Sequence, residues 1–208
     1  MAQYTLHEHD GLDAQDLAPN PLIQLQRWIE QARDAGMLEP VAACLATAST
    51  SGQPSARIVL IRQVSEQAVA FYTNHDSRKG VELAENPQAA LCFWWDKLQR
   101  QVRVEGSVTR MSQDEAEVYF QGRPRGSQIG AWASRQSQPV DNRAQLEDRV
   151  VATAEQFGDE AVPIPDFWGG YWLRPQAVEF WQGRNNRLHD RLRFTGDSTG
   201  WNVERLEP

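Results

Sequence analysis

Lysine is nearly missing from this chain. Of its 21 basic residues only Lys79 and Lys97 are lysines, and the arginine excess fits either bidentate phosphate binding or nothing more than base composition. Cysteine is as scarce. Cys44 and Cys92 both lie in apolar stretches, which speaks against a disulfide framework and suits buried thiols in a reducing compartment. Long hydrophobic runs are absent: the stretch Ala89–Trp95 is far short of the roughly 20 apolar residues of a membrane helix, so no spanning helix is expected. Met1–Pro19 is polar and acidic without an apolar h-region, so no secretory signal is expected and the cytoplasm is the expected location. There is no excess of positive charge either. A formal net charge of −7 opposes general affinity for nucleic acid or anionic membrane, so any phosphate ligand needs a local basic cluster. No Cys or His pair has metal-ligand spacing, and G-x-S-x-G, Walker A and Rossmann patterns do not occur. A metal site is therefore not expected.

What is present is the composition of a soluble globular domain: 208 residues, 40% hydrophobic and 24% charged, enough chain to bury a core without covalent staples. Residues 1–19 lack periodicity and read as an arm that is mobile or ordered only by ligand, leaving 20–208 as a single domain. Asn20-Pro21 supplies an N-cap followed by proline at the first helical position, and Leu22, Leu25, Trp28, Ile29 and Ala32 mark one apolar face up to Gly36. From Val41 the period shortens. Val41–Ala48, Arg57–Val64, Ala68–Thr73, Ala89–Trp95 and Gln99–Met111 read as strands, several separated by turn signals such as Ser51-Gly52 and Asn86-Pro87. A short helix over Ser77–Glu85, a second opened by the capping box Ser112-x-x-Glu115, and a third over Asp141–Gln156 interrupt or follow them. Strand character returns at Ala177–Gln182, Arg187–Phe194 and Trp201–Leu206. The fold class is thus mainly β with flanking helices, an antiparallel sheet closed into a barrel.

Four basic clusters stand out. In Arg187-Leu188-His189-Asp190-Arg191-Leu192-Arg193-Phe194, a regular strand puts Arg187, His189, Arg191 and Arg193 on one face and Leu188, Leu192 and Phe194 on the other. Such a row either faces anions or is a solvated surface strand. Thr73-Asn74-His75-Asp76-Ser77-Arg78-Lys79-Gly80 spans a strand end and a helix start, where free N–H groups make a ready phosphate site or simply a capped helix. Arg57 and Arg62 bracket an apolar strand and, five residues apart, face opposite sides unless a bulge intervenes. Arg123-Pro124-Arg125-Gly126-Ser127-Gln128-Ile129-Gly130 reads as a basic, glycine-containing turn, and Gln136-Ser137 as a polar loop. Eight tryptophans could wall an aromatic cofactor, although such residues more often form core.

Phe167-Trp168-Gly169-Gly170, Val178-Glu179-Phe180-Trp181-Gln182-Gly183 and Arg187-Leu188-His189-Asp190-Arg191 resemble the C-terminal signature of the pyridoxine (pyridoxamine) 5′-phosphate oxidase family. So do Arg57-Ile58-Val59-Leu60, Phe71-Tyr72-Thr73-Asn74, Ser77-Arg78-Lys79 and Arg123 through Trp132, in register from about Pro21 to Pro208. The resemblance implies a split β-barrel with FMN at the interface of a homodimer. It implies FMN contacts at Arg57, Arg62, Tyr72, Thr73, Arg78, Lys79 and Gln101 of one subunit, and at Gln136, Ser137, Trp181 and Arg191 of the other. It further implies a substrate phosphate site at Arg62, Tyr119, Arg123 and Ser127, with Arg187, Leu188 and His189 over the substrate ring, Arg187 and His189 being the catalytic pair. The implied reaction is oxidation of pyridoxamine or pyridoxine 5′-phosphate to pyridoxal 5′-phosphate by O2, releasing H2O2. Two positions depart from the family pattern: Arg62 stands where lysine is common, and the lid segment usually carrying Arg-Glu-Tyr reads Tyr4-Thr5-Leu6-His7-Glu8-His9. The rivals are a phenazine-biosynthesis-type flavin oxidase and a non-catalytic flavin or pyridoxal phosphate binder.

Overall fold

A computed structural model of the chain describes residues 11–197 and 199–208. The Tyr4–His9 segment lies outside the described residues. Helix α1 (Pro21–Asp34) begins as its sequence predicts, with the Asn20 side chain accepting from Leu22 N–H and proline in the first turn. Its apolar face, Leu22, Leu25, Trp28, Ile29 and Ala32, is buried in the main core.

Among the described residues, nine strands form one antiparallel sheet: β1 (Ala42–Ala48), β2 (Pro54–Leu60), β3 (Gln63–Val64), β4 (Val69–Asn74), β5 (Gln88–Trp95), β6 (Arg100–Arg110), β7 (Trp168–Gln182), β8 (Asp190–Asp197) and β9 (Gly200–Arg205). The order β2-β1-β5-β6-β7-β4-β3 brings the two ends of the sheet to one stretch of chain, because β3 follows β2 directly, and β8 and β9 extend from β7. At the crossing, Ile61 N–H donates to Val41 O beside β1, and Arg62 N–H donates to Ala70 O on β4. That change of partner curls the sheet into a split barrel around Leu45, Leu91, Phe93, Val104, Phe71, Leu173 and Phe180. The continuous strand expected over Arg57–Val64 is therefore broken at Ile61-Arg62.

Helix α2 (Arg78–Glu85) lies between β4 and β5, and α3 (Gln113–Gln121), α4 (Arg125–Ala133) and α5 (Arg143–Phe157) lie between β6 and β7. The capping box opens α3 as read, with the Ser112 side chain accepting from Glu115 N–H and the Glu115 carboxylate accepting from Ser112 N–H. The basic segment from Arg123 is not a turn. It is the entry to α4, started by Pro124 and bonded from Ser127 N–H and Gln128 N–H to Pro124 O, because the glycines there are outweighed by tertiary contacts of Ile129 and Ala133.

Three further expectations are corrected. The strand read over Arg187–Phe194 starts only at Asp190; Asn186 and Arg187 have φ of 57° and 63°, so the chain reverses ahead of the strand. The four-cation strand face does not exist, and Leu188 is 70% exposed instead of pointing into a core. Within residues 11–19, Leu12, Leu17 and Ala18 are buried and the other six are exposed; Leu12 N–H donates to Asp190 and Arg205 donates to Leu12 O. The cysteines are half-buried rather than fully buried, and they face each other across β1 and β5 as free thiols.

Candidate functional site

The break between β2 and β3 decides where the arginines point. Arg57 and Arg62 line the same cavity, of about 960 Å³, along with Tyr72, Thr73, Arg78, Lys79, Tyr119, Arg123, Ser127, Gln136, Ser137 and Trp168. Three of the four basic clusters read separately in the sequence, and the Gln136-Ser137 loop, thus line one cavity.

One end of the cavity is cationic. Helix α2 starts at Ser77, whose side chain accepts from Gly80 N–H and donates to Asn74 O. Gly80 is required here, since a Cβ would collide with the His75 carbonyl. The close approach sets Arg78 and Lys79 at the end of β4. Lys79 is buried, and its Nζ donates to Thr73 Oγ1 at 3.0 Å, Ser77 Oγ at 3.2 Å and Gln136 Oε1 at 2.8 Å. None of these partners is an anion. Burial first, and then the neighbouring Arg57 charge, lower the Lys79 pKa to about 8. Arg57 Nη1 donates to Thr47 Oγ1 at 2.6 Å and Nη2 to Ser55 Oγ at 2.5 Å. Both guanidiniums, Arg57 and Arg78, contact the carboxylate of Glu82, at 3.4 and 2.9 Å.

The other end is an aromatic deck. Tyr72 stacks on Tyr119 with ring centroids 4.0 Å apart and on Trp168 at 5.7 Å. The Arg123 guanidinium lies 4.6 Å over the Trp168 ring. Arg123 Nη1 is buried with no hydrogen-bond partner among the described residues, an arrangement that is costly without an acceptor. Burial, partly offset by Tyr119 and reinforced by the nearby Arg62 charge, lowers its pKa from the usual arginine value.

A second constellation lies outside this cavity. Gln101, Trp181 and Arg191 are in register across β6, β7 and β8, and the His189 ring packs 4.5 Å from Trp181. Arg184 N–H donates to His189 Nδ1 at 3.1 Å, which leaves Nε2 to carry the proton of the neutral ring. Arg191 grips Glu179 through Nε at 2.9 Å and Nη2 at 3.1 Å. Arg187 and Leu188 are exposed on the reversal before β8.

The sequence-derived set therefore divides. Arg57, Arg62, Tyr72, Thr73, Arg78, Lys79, Tyr119, Arg123, Ser127, Gln136 and Ser137 come together, whereas Gln101, Trp181, Arg187, Leu188, His189 and Arg191 gather elsewhere. Gln136 and Ser137, implied to come from the other subunit, line the cavity of their own chain, because the turn after α4 folds back onto Lys79. Gln101, implied to share a subunit's site with Arg57, sits with Trp181. Sequence reasoning missed Glu82 and Trp168; a carboxylate one helical turn after Arg78 was the available signal for the first.

Comparison with known proteins adds the following. A family model described as pyridoxamine 5′-phosphate oxidase matches residues 29–157, and one described as the pyridoxine 5′-phosphate oxidase C-terminal dimerisation region matches residues 168–208. A pyridoxine/pyridoxamine 5′-phosphate oxidase of Rubrobacter xylanophilus is 50% identical over 198 residues, covering 95% of this chain and 91% of the relative. One of Paraburkholderia phymatum is 52% identical over 199 residues, covering 95% and 93%. Among solved structures, PhzG from Burkholderia lata, in complex with tetrahydrophenazine-1-carboxylic acid, has a TM-score of 0.90 at 30% identity, covering 97% of this chain and 100% of that one.

Proposed function

The chain belongs to the pyridoxamine 5′-phosphate oxidase family, and from that premise we propose that it oxidises pyridoxamine or pyridoxine 5′-phosphate to pyridoxal 5′-phosphate as an FMN-dependent enzyme. O2 is the acceptor and is reduced to H2O2; the amine substrate also takes up water and releases ammonia. The observation that carries the reading is a pair of cations without an anionic partner among the described residues in one cavity: Lys79, buried among neutral oxygens, and Arg123, whose buried Nη1 has no acceptor there. Two sites wanting anions, one at each end of an aromatic-walled cavity, suit two phosphate esters.

The residues present fit FMN. Arg57, Arg78 and Lys79 would hold its phosphate, with Thr73, Gln136 and Ser137 beside them, and Tyr72 would line its path. When bound, FMN supplies the hydride acceptor and returns the electrons to O2. The chain itself binds, orients and excludes water. Arg123, with Arg62, Tyr119 and Ser127, would grip the vitamer phosphate, and tethering both phosphates places the reacting rings together. His189, with its proton on Nε2, would donate to the vitamer's polar groups, and Arg187 would orient its reacting side. These two lie outside the cavity of their own chain, as do Gln101, Trp181 and Arg191. A homodimer, in keeping with the dimerisation region over β7–β9, would present them to the partner's cavity. Ile58 and Trp94, 66% and 51% exposed on the outward side of the sheet, are apolar surface that such an assembly would cover.

A second reading, a flavin oxidase of the phenazine-biosynthesis type, is favoured by the structural likeness to PhzG. The uncompensated Arg123 favours the first, since a tricyclic carboxylic acid has no phosphate to seat there. Protein purified with FMN and kept anaerobic should bleach when pyridoxamine 5′-phosphate is added and recolour in air. Yellow protein inert to the vitamer but bleached by a reduced phenazine carboxylic acid would transfer the assignment to the second reading. Protein that takes up no FMN would overturn both.

A further inference from the structure

Glu82 is the one acidic side chain that meets the cationic end of the cavity among the described contacts, and its surroundings go beyond a helix-surface ion pair. The residue is buried. One carboxylate oxygen, Oε2, accepts from Thr47 Oγ1 on β1 and Ser55 Oγ on β2, both at 2.5 Å, and meets Arg57 Nη2 at 3.4 Å. The other, Oε1, accepts from Arg78 Nε at 2.9 Å. The carboxylate therefore ties two strands and a helix together at the point where both guanidiniums stand.

This arrangement fixes charge as well as position. Arg57, Arg78 and Lys79 bring three positive charges and Glu82 removes one, so the cradle keeps two. A phosphate monoester carries roughly −1.5 to −2 near neutral pH. We propose that Glu82 is a positioning residue which aims Arg57 and Arg78 at the flavin phosphate and matches the cradle to a monoester dianion. Without the carboxylate, three cations crowd one end of the cavity, buried Lys79 and partly buried Arg57 beside the more exposed Arg78, and neither guanidinium is held against the rotamer freedom of a long side chain. The inference rests on the FMN reading given above.

The test is flavin binding by the full-length, flavin-stripped protein, followed by flavin fluorescence with FMN and with riboflavin, which lacks the phosphate. The unsubstituted protein should prefer FMN strongly. In Glu82→Gln the FMN preference should fall by about tenfold to a hundredfold, the range for a lost charged hydrogen-bond partner, with riboflavin affinity unchanged. A merely structural Glu82 would lower both affinities together or leave their ratio intact, and either result overturns the proposal. If Glu82→Gln does not fold, Glu82→Asp serves: a carboxylate one methylene shorter cannot span Arg57 and Arg78, so the preference should drop several-fold, and a full preference overturns the idea. Unsubstituted protein that binds FMN and riboflavin alike would overturn the phosphate reading itself, a result separate from failure at Glu82.

Discussion

Lys79 donates a hydrogen bond to Gln136 across 57 residues of chain, with Nζ 2.8 Å from Oε1. Gln136 also accepts from Thr73 Oγ1 at 2.9 Å, so one amide oxygen fastens the turn after α4 to both β4 and α2. The link closes the cationic end of the cavity from within a single chain. It also leaves the ammonium among neutral acceptors, and the first expected outcome follows from that.

Binding of a phosphate to this site favours protonated Lys79, whose pKa in the ligand-free protein is lowered to about 8 by burial and by Arg57. FMN affinity should therefore hold below pH 8 and weaken above it, by up to about tenfold per pH unit. Calorimetric titration from pH 7 to 9.5 checks this. In Lys79→Met the affinity is lower throughout and this pH dependence disappears.

Acid should unfold the protein in two separable windows. His75 stays neutral in the folded state, its pKa lowered to about 4 by burial and then by Arg110; the unfolded chain takes up that proton below its ordinary value of 6.5, so stability falls between pH 6.5 and 4. For Glu82, burial pushes the pKa up, but hydrogen bonds from Ser55, Thr47 and Arg78 outweigh it and bring it down to about 2. Its contribution is present above pH 4.5 and lost between 4.5 and 2, on the order of 3 kcal/mol. Urea unfolding midpoints across this range should show Glu82→Gln flattening the lower window only and His75→Asn the upper one.

Arg123→Leu should raise the KM for pyridoxamine 5′-phosphate by about a hundredfold, the loss expected when a charged partner of a phosphate is removed. FMN content should be retained, because the cradle proposed for the flavin phosphate, Arg57, Arg78 and Lys79, is at the other end of the cavity. Arg123→Lys should recover only part of the loss, since an ammonium cannot stack flat on Trp168 as the guanidinium does. Steady-state kinetics with bound flavin measured in parallel separates the two ends.

Gly80→Ala should lower stability by about 1–3 kcal/mol, the usual cost of forcing atoms into a packed site, because the new Cβ meets the His75 carbonyl. Pushing the first turn of α2 outward also displaces Arg78 and Lys79. Reduced FMN occupancy alongside a lower urea midpoint is the expected pair of observations. An alanine at Gly126, where no heavy atom lies within 4 Å of the added Cβ, is the matched control.

Much of the molecule was legible in the residues. Asn20-Pro21, Ser77 and Ser112-x-x-Glu115 mark helix starts through local capping, which needs no tertiary information. The β-branched and aromatic runs give β1, β4, β5 and β6 within a residue or two. What failed was non-local. Helix α4 carries two glycines and a proline at its cap, signals of a turn that packing overrode, and the alternation assumed from Arg187 ignored the two left-handed residues that delay β8 to Asp190.

The clustering of phosphate-binding cations, the antiparallel barrel with capped helices, and the family the motifs resemble can all be read from the residues. Those properties reside in side-chain chemistry and short-range periodicity. Which clusters meet depends on the folded chain. The switch of partners at Ile61-Arg62 turns Arg57 and Arg62 into one cavity, and the return of Gln136 to Lys79 completes it. Glu82 meets Arg57 at the edge of that cavity only because strands β1 and β2 bring Thr47 and Ser55 to the face of a helix distant in sequence. Contacts of that kind depend on how the sheet curls, a long-range property that no local pattern of residues encodes.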